Sequence, residues 1–242
     1  MEKEKSSERI SKILNDSLIR ATDTYKLPPQ IIWVDNSTIG TLGNFSASTG
    51  KAKAKKTFNV SAIVAASLSN GKVLNYRACL PEGKRRILYV DTEQSRYHCH
   101  NVLERLSTTT DNENLDFICL REFTPSVRLE VIDYALARDE RYGLVIIDGI
   151  RDLLLDINNA SESVEVINKM MEWSSIYNLH IHCVLHQNKA DNNSRGHIGT
   201  EMNNKAETVN VISKNPDNPN NSIVQAMHIR EKEFKPFSFT VN

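Results

Sequence analysis

The 242-residue sequence holds four cysteines, seven prolines and nine glycines, and its charges leave no excess of either sign. Cys79, Cys99, Cys119 and Cys183 are widely spaced and form no CxxC pair. That spacing argues against a zinc site or a disulfide framework, so most of them read as buried thiols in a reducing compartment. Thirty Lys and Arg balance thirty Asp and Glu, so whole-molecule attraction to nucleic acid or to an anionic membrane is not indicated. Any site for a polyanion has to be local. No run approaches the roughly 18 apolar residues a membrane helix needs. Residues 1–9 are charged and no apolar stretch follows them, so the expectation is a cytoplasmic protein with no membrane partner. With 40% hydrophobic and 25% charged residues, disordered and collagen-like chains are excluded as well.

What is present is an alternation of elements. Residues 8–21 place Ile10, Ile13, Leu14, Leu18 and Ala21 near helical spacing, and Pro28-Pro29 would stop that helix. The expected organisation is a helical arm over residues 1–29 and one large domain over 30–242. Strands are expected at 44–49, 86–91, 117–120, 144–148 and 180–185, with helices at 57–69, 95–106, 126–138 and 162–177. Strands that are apolar on both faces and are each followed by a helix imply a mainly parallel sheet covered on both sides. Residues 200–209 have helical character. Strands at 209–213, 223–230 and 237–241, joined by polar turns such as the Asn/Pro-rich 215–221, predict antiparallel C-terminal strands at the sheet edge.

The central chemical signal is GKAKAKKT, which runs Gly50, Lys51, Ala52, Lys53, Ala54, Lys55, Lys56, Thr57 between a strand and a helix. A P-loop reads GxxxxGK[ST]: its backbone amides wrap phosphates, its Lys reaches the β- and γ-phosphates, and its hydroxyl holds Mg²⁺ at a helix N-terminus. Every place fits except one, where Lys55 stands for the second glycine. A frame that takes Gly50-Lys51 as the GK pair fits worse, because it puts Ala52 at the hydroxyl position. The bland alternative is a basic solvated turn.

Asp148 ends the apolar run LVIID, where a Mg²⁺-holding Walker B aspartate belongs; the alternative is a strand-end Asp that caps the next turn. Glu93, in DTEQ after the strand at 86–91, is placed to orient or deprotonate an attacking water; the alternative is a surface Glu opening a helix.

The order of GKAKAKKT, DTEQS, VIIDGIRDLL, HCVLHQNK and RGHIGTEMNNKAE resembles the RecA-like P-loop ATPase core. It is closest to the single-domain hexameric helicases of the RepA kind and to the RecA-like domain of DnaB-type replicative helicases. The resemblance covers roughly residues 39–241. It implies an α/β RecA-like fold that uses ATP and Mg²⁺, with Lys56, Thr57, Asp148 and Glu93 in the roles just given. His186, with Gln187, falls where the family carries a polar sensor of the γ-phosphate. The polar segment 188–199 corresponds to a channel loop that grips single-stranded DNA, and Lys189 and Arg195 are its candidate phosphate contacts. Arg230 resembles an arginine finger that acts on a neighbouring subunit, although His228 stands where the family has Lys. The resemblance also implies a homo-oligomer, expected to be a hexameric ring, a DNA helicase serving a plasmid or mobile element, and a replication initiator or primase as partner. A non-motor switch or loader is the rival reading, since Lys55 could slow hydrolysis.

Overall fold

A computed structural model describes residues 2–108, 113–187, 194 and 196–241, with side chains described from Ser7 onward. In chain order the elements begin with α1 (Glu2–Ser17), β1 (Gln30–Val34), β2 (Ser37–Thr41), β3 (Phe45–Gly50), α2 (Lys56–Ser69), β4 (Lys72–Val73), β5 (Tyr76–Ala78) and β6 (Arg86–Asp91). They continue with α3 (Arg96–Ser107), β7 (Leu115–Cys119), α4 (Pro125–Arg138), β8 (Tyr142–Asp148), a 3-10 turn (Ile150–Leu153), α5 (Ala160–Ile176) and β9 (His180–His186). The last are α6 (Gly196–Lys205), β10 (Thr208–Lys214), β11 (Asn221–Ile229) and β12 (Phe237–Thr240).

Eight strands form the main sheet in the order β12-β11-β10-β3-β9-β8-β6-β7. From β10 to β7 every pairing is parallel, while β11 and β12 add on antiparallel. The fold is therefore the expected mixed α/β architecture with antiparallel C-terminal strands. β10 departs from the expected antiparallel extension, because it runs parallel to β3 and has its antiparallel partner in β11.

Alternation along the central strands builds two cores, because successive side chains point to opposite faces. Leu144 and Ile146 of β8 join Ile87 and Tyr89 of β6 beneath α2 and α3. Val145 and Ile147 join Leu88 and Val90 on the other face, beneath α4, α5 and α6. Both faces are thus covered, as strands apolar on both sides require. A small antiparallel sheet, β2-β1-β5-β4, packs Ile32, Val34 and Tyr76 into the α2 core. The sequence pattern does not single it out, since β4 and β5 are two and three residues long.

α1 stops at Ser17, well before Pro28. Asn15, Asp16 and Ser17 are weak helix formers, and the Ser17 hydroxyl bonds back to the Ile13 carbonyl at 2.7 Å. Among the described residues nothing packs over Ile10 and Leu14 to override them, and each is 61% exposed. The helix expected over 200–209 is α6, which begins earlier at Gly196 and yields to the β-branched Thr208 and Val209 of β10. Only Cys99 and Cys183 are buried, while Cys119 is half-buried and Cys79 exposed, so the expectation that most thiols are buried is halved. Among the described residues no helix is long and apolar enough to cross a membrane.

Candidate nucleotide-binding site

Parallel pairing puts four strand ends side by side. Gly50 is the register partner of His186, Asp91 that of Asp148, and Asp148 that of Val184. The loops leaving β3, β6, β8 and β9 therefore share one crevice at the carboxyl edge of the sheet, the usual ligand position in open α/β folds.

The loop after β3 is shaped by its backbone. A Cβ at Gly50 would collide with the Ile212 carbonyl of β10, so only glycine fits there. Lys53 and Lys55 both take the left-handed conformation, at φ 63° and 65°. Lys55 thus adopts at the second-glycine place the geometry glycine would supply, at a steric cost glycine would not incur. The Ser222 hydroxyl bonds the Ala54 carbonyl at 3.1 Å, and the Lys55 ammonium bonds the Asn220 carbonyl at 2.5 Å, so β11 and its preceding turn brace the loop. α2 opens at Lys56 with no side chain capping it. Its first amides and the positive end of its dipole face the crevice mouth, which suits an anion.

Lys56 is buried and folds back onto its own loop. Its ammonium donates to the Gly50 carbonyl at 3.0 Å and the Lys51 carbonyl at 3.1 Å, and it lies 3.0 Å from His186 Nδ1. An ammonium only donates, so Nδ1 accepts and the ring proton sits on Nε2. Nε2 then donates to Glu93 Oε2 at 3.4 Å. His186 therefore bridges Lys56 and Glu93. That contact holds the Glu93 carboxyl below the usual range, while burial pushes Lys56 down against the pull of Glu93 and Asp148.

Asp148 Oδ2 accepts from the Thr57 hydroxyl at 3.1 Å and from the Tyr89 hydroxyl at 2.8 Å. Burial and the neighbouring Asp91 charge push Asp148 up to about 6. Asp91 itself shapes the turn that carries Glu93: its Oδ1 accepts the amides of Glu93 and Gln94 at 3.0 and 2.7 Å, and its Oδ2 accepts the Gln94 side-chain amide at 2.7 Å. Thr92 ties this turn to the next one, donating to the Gly149 carbonyl at 2.8 Å. Gly149, at φ 105°, lies so close that a Cβ would strike Thr92 and Glu93. These supporting residues, Tyr89, Asp91, Thr92 and Gly149, are not marked out by the motif reading. A strand-end Asp two residues before a candidate base is the signal that could have found Asp91, because Asp bonds amides just ahead of it in a turn.

A family model described as an AAA domain matches residues 9–192. The chain belongs to the AAA-domain family. The match spans the P-loop and the ends of β6, β8 and β9, and its members are AAA-type P-loop ATPases. No curated protein sequence matches the chain.

The crevice of this AAA domain suits a nucleotide with a hard cation. Its cleft of about 490 Å³ is lined by Lys55, Lys56, Thr57, Glu93, Asp148 and His186, among others. A hydroxyl and a carboxylate 3.1 Å apart are the oxygen donors Mg²⁺ prefers when phosphates and water complete its shell. Among the described residues no cluster of three His, Cys, Asp or Glu could cage a metal alone. The structure thus brings Gly50, Lys53, Ala54, Lys55, Lys56, Thr57, Glu93, Asp148 and His186 together, whereas Lys51 and Ala52 are exposed on the loop and do not line the cleft. It does not bring Arg230 to them. Ile229 pairs with Thr208, and Thr208 with Ser46, so Arg230 follows β11 at the opposite end of the sheet from Gly50. There its guanidinium donates to the Lys205 carbonyl at 3.2 Å. Lys189 and Arg195 lie outside the described residues.

Proposed function

We propose that the protein is an ATP-driven motor on single-stranded DNA, a replicative helicase of the RepA/DnaB kind that works as a homo-oligomeric ring. The observation that carries its ATPase half is the meeting of Lys56, Thr57, Asp148 and Glu93 at adjacent strand ends. In this reading Lys56 leaves the Gly50 and Lys51 carbonyls for phosphate oxygens when ATP enters. His186 then loses its acceptor contact with Lys56, and Glu93, ionised at neutral pH, is left to align a water on the γ-phosphate. Mg²⁺ held by Thr57 and Asp148 would neutralise phosphate charge.

The motor half rests on the motif order and on Arg230. An arginine at the far end of the sheet is unsuited to its own crevice and suited to a neighbour's. The exposed apolar residues of the arm, residues 1–29, favour a neighbour as well: Leu18 is 51% exposed and Leu27 80%, a concentration that marks contact surfaces. A replication initiator or primase would be the partner. Turnover accelerated by single-stranded DNA, in a species that sediments as a ring, is the expected result; monomers indifferent to DNA would contradict it. One observation favours the rival nucleotide switch: a left-handed Lys55 puts a side chain where glycine would leave the backbone bare to phosphate. Binding of ATP without turnover would select that reading.

A further inference from the structure

A second cleft, of about 460 Å³, lies behind Glu93 and His186, and its walls carry Arg121, Arg128, Arg151 and Asp152. We propose that it is a phosphate-anion site adjoining the terminal-phosphate end of the nucleotide crevice, with Arg121 and Arg151 as the contacting cations and Arg128 as their positioning residue.

Arg128 is the built part. It is 9% exposed, and its partners are backbone carbonyls. Nε donates to Leu120 at 3.0 Å, Nη2 donates to Arg121 at 2.9 Å, and Nη1 donates to Asp152. One guanidinium thereby clamps the two turns that present Arg121 and Arg151. A buried cation satisfied by neutral carbonyls keeps its positive field, and a pocket of low dielectric extends that field.

The nearby acids do not cancel it. Asp152 Oδ2 lies 3.2 Å from the Thr92 hydroxyl, whose one proton goes to the nearer Gly149 carbonyl, and its other oxygen is 3.8 Å from Arg151, too far for a tight pair. Glu93 is shared with His186 on the nucleotide side. Three guanidinium groups thus face two carboxylates and keep an excess of one positive charge, and both Arg121 and Arg151 are exposed enough to move onto a ligand. Planar guanidinium forks match phosphate oxygens bidentately.

The phosphate has two sources, free inorganic phosphate leaving the crevice or a phosphodiester of a bound strand. The full-length protein with Lys56→Ala removes phosphate binding by the P-loop and serves as background. On it, inorganic phosphate is titrated calorimetrically and a fluorescein-labelled oligodeoxythymidine by anisotropy, before and after Arg121→Ala with Arg151→Ala. The site predicts a tenfold or greater loss for at least one probe, an unchanged thermal melt, and recovery with Lys at both positions. Loss confined to phosphate assigns the free anion. Loss confined to the strand, with a salt slope shallower by about 1.4 for two single-strand contacts, assigns the backbone. Equal binding of both probes with and without the arginines overturns the proposal. The inference does not require hydrolysis: ATP binding that ignores Lys56 would refute the nucleotide reading and leave the arginine result standing.

Discussion

Asp91 and Asp148 are register partners on neighbouring strands, yet one bonds three N–H groups of its own turn and the other accepts two hydroxyls. The first fixes where Glu93 stands. The second, with Thr57, is the one suited to hold a cation, and burial together with its partner's charge holds it protonated to about 6.

That elevation has a definite sign. Between its ordinary value of 3.8 and about 6 the native state keeps a proton the unfolded chain gives up. The stabilising contribution is full below pH 3.8 and is lost as pH rises through about 6. Asp148→Asn should therefore stabilise the protein at pH 7 in the absence of nucleotide by on the order of 3 kcal/mol, at 1.36 kcal/mol per unit, and so raise its unfolding temperature. The same change should abolish Mg²⁺-dependent turnover. Thermal melts at pH 5 and 7 check it, since the gain should shrink at the lower pH.

The opposite sign belongs to a buried chain on β3 and β9. Ser46 lies 2.7 Å from His180 Nε2 and 2.8 Å from His182 Nδ1, and Ser48 lies 2.9 Å from His182 Nε2. Asn59 of α2 extends the chain from Ser48 to the Tyr76 hydroxyl. Burial, with a smaller push from His180, drives His182 down from 6.5 to about 3, so unfolded chains take up a proton that the native state refuses. Stability is complete above pH 6.5 and falls as pH drops toward 3. His182→Asn should flatten that acid limb relative to the wild type, whatever it does to stability at pH 7. Denaturant midpoints between pH 7 and 4 report the difference in slope.

Lys55 tests the loop. A left-handed non-glycine residue costs roughly 1–2 kcal/mol, and glycine returns about 0.5–1 kcal/mol in chain entropy. Lys55→Gly should therefore be neutral to stabilising by up to about 1.5 kcal/mol, with nucleotide turnover equal or faster. Lys55→Val, whose β-branched side chain resists φ 65°, should be destabilising. Urea midpoints for both variants decide.

Much of this arrangement is legible in the sequence, and the parts that are not have physical reasons. β8 and β6 announce themselves because a strand buried on both faces must be a continuous apolar run. The loop and its two acids are readable because phosphate and cation chemistry demand those residue types at strand ends. The end of α1 is misjudged because apolar spacing implies a packing surface, and Ile10 and Leu14 have none among the described residues. The small sheet escapes because two- and three-residue strands carry no period. His186 as a bridge, and Arg128 as a clamp on two turns, depend on β9 beside β3 and on α4 against the 3-10 turn; both are long-range consequences of topology.

If Arg230 serves a neighbour, its loss should leave ATP binding intact and reduce turnover on the order of 10³-fold, the range for an arginine finger. Mixing Arg230→Ala with Glu93→Gln subunits should restore part of the activity, because some interfaces then join an intact Glu93 to an intact Arg230. Inactive mixtures, or a full-activity Arg230→Ala protein, would place the arginine outside the reaction.

The most direct measurement is ATP binding and hydrolysis by the wild type beside Lys56→Ala and Glu93→Gln. The account predicts that Lys56→Ala loses binding, whereas Glu93→Gln binds ATP as the wild type does but turns it over at least 10²-fold more slowly, the lower range for loss of a general base. Wild-type binding by Lys56→Ala, or unimpaired turnover by Glu93→Gln, would contradict it.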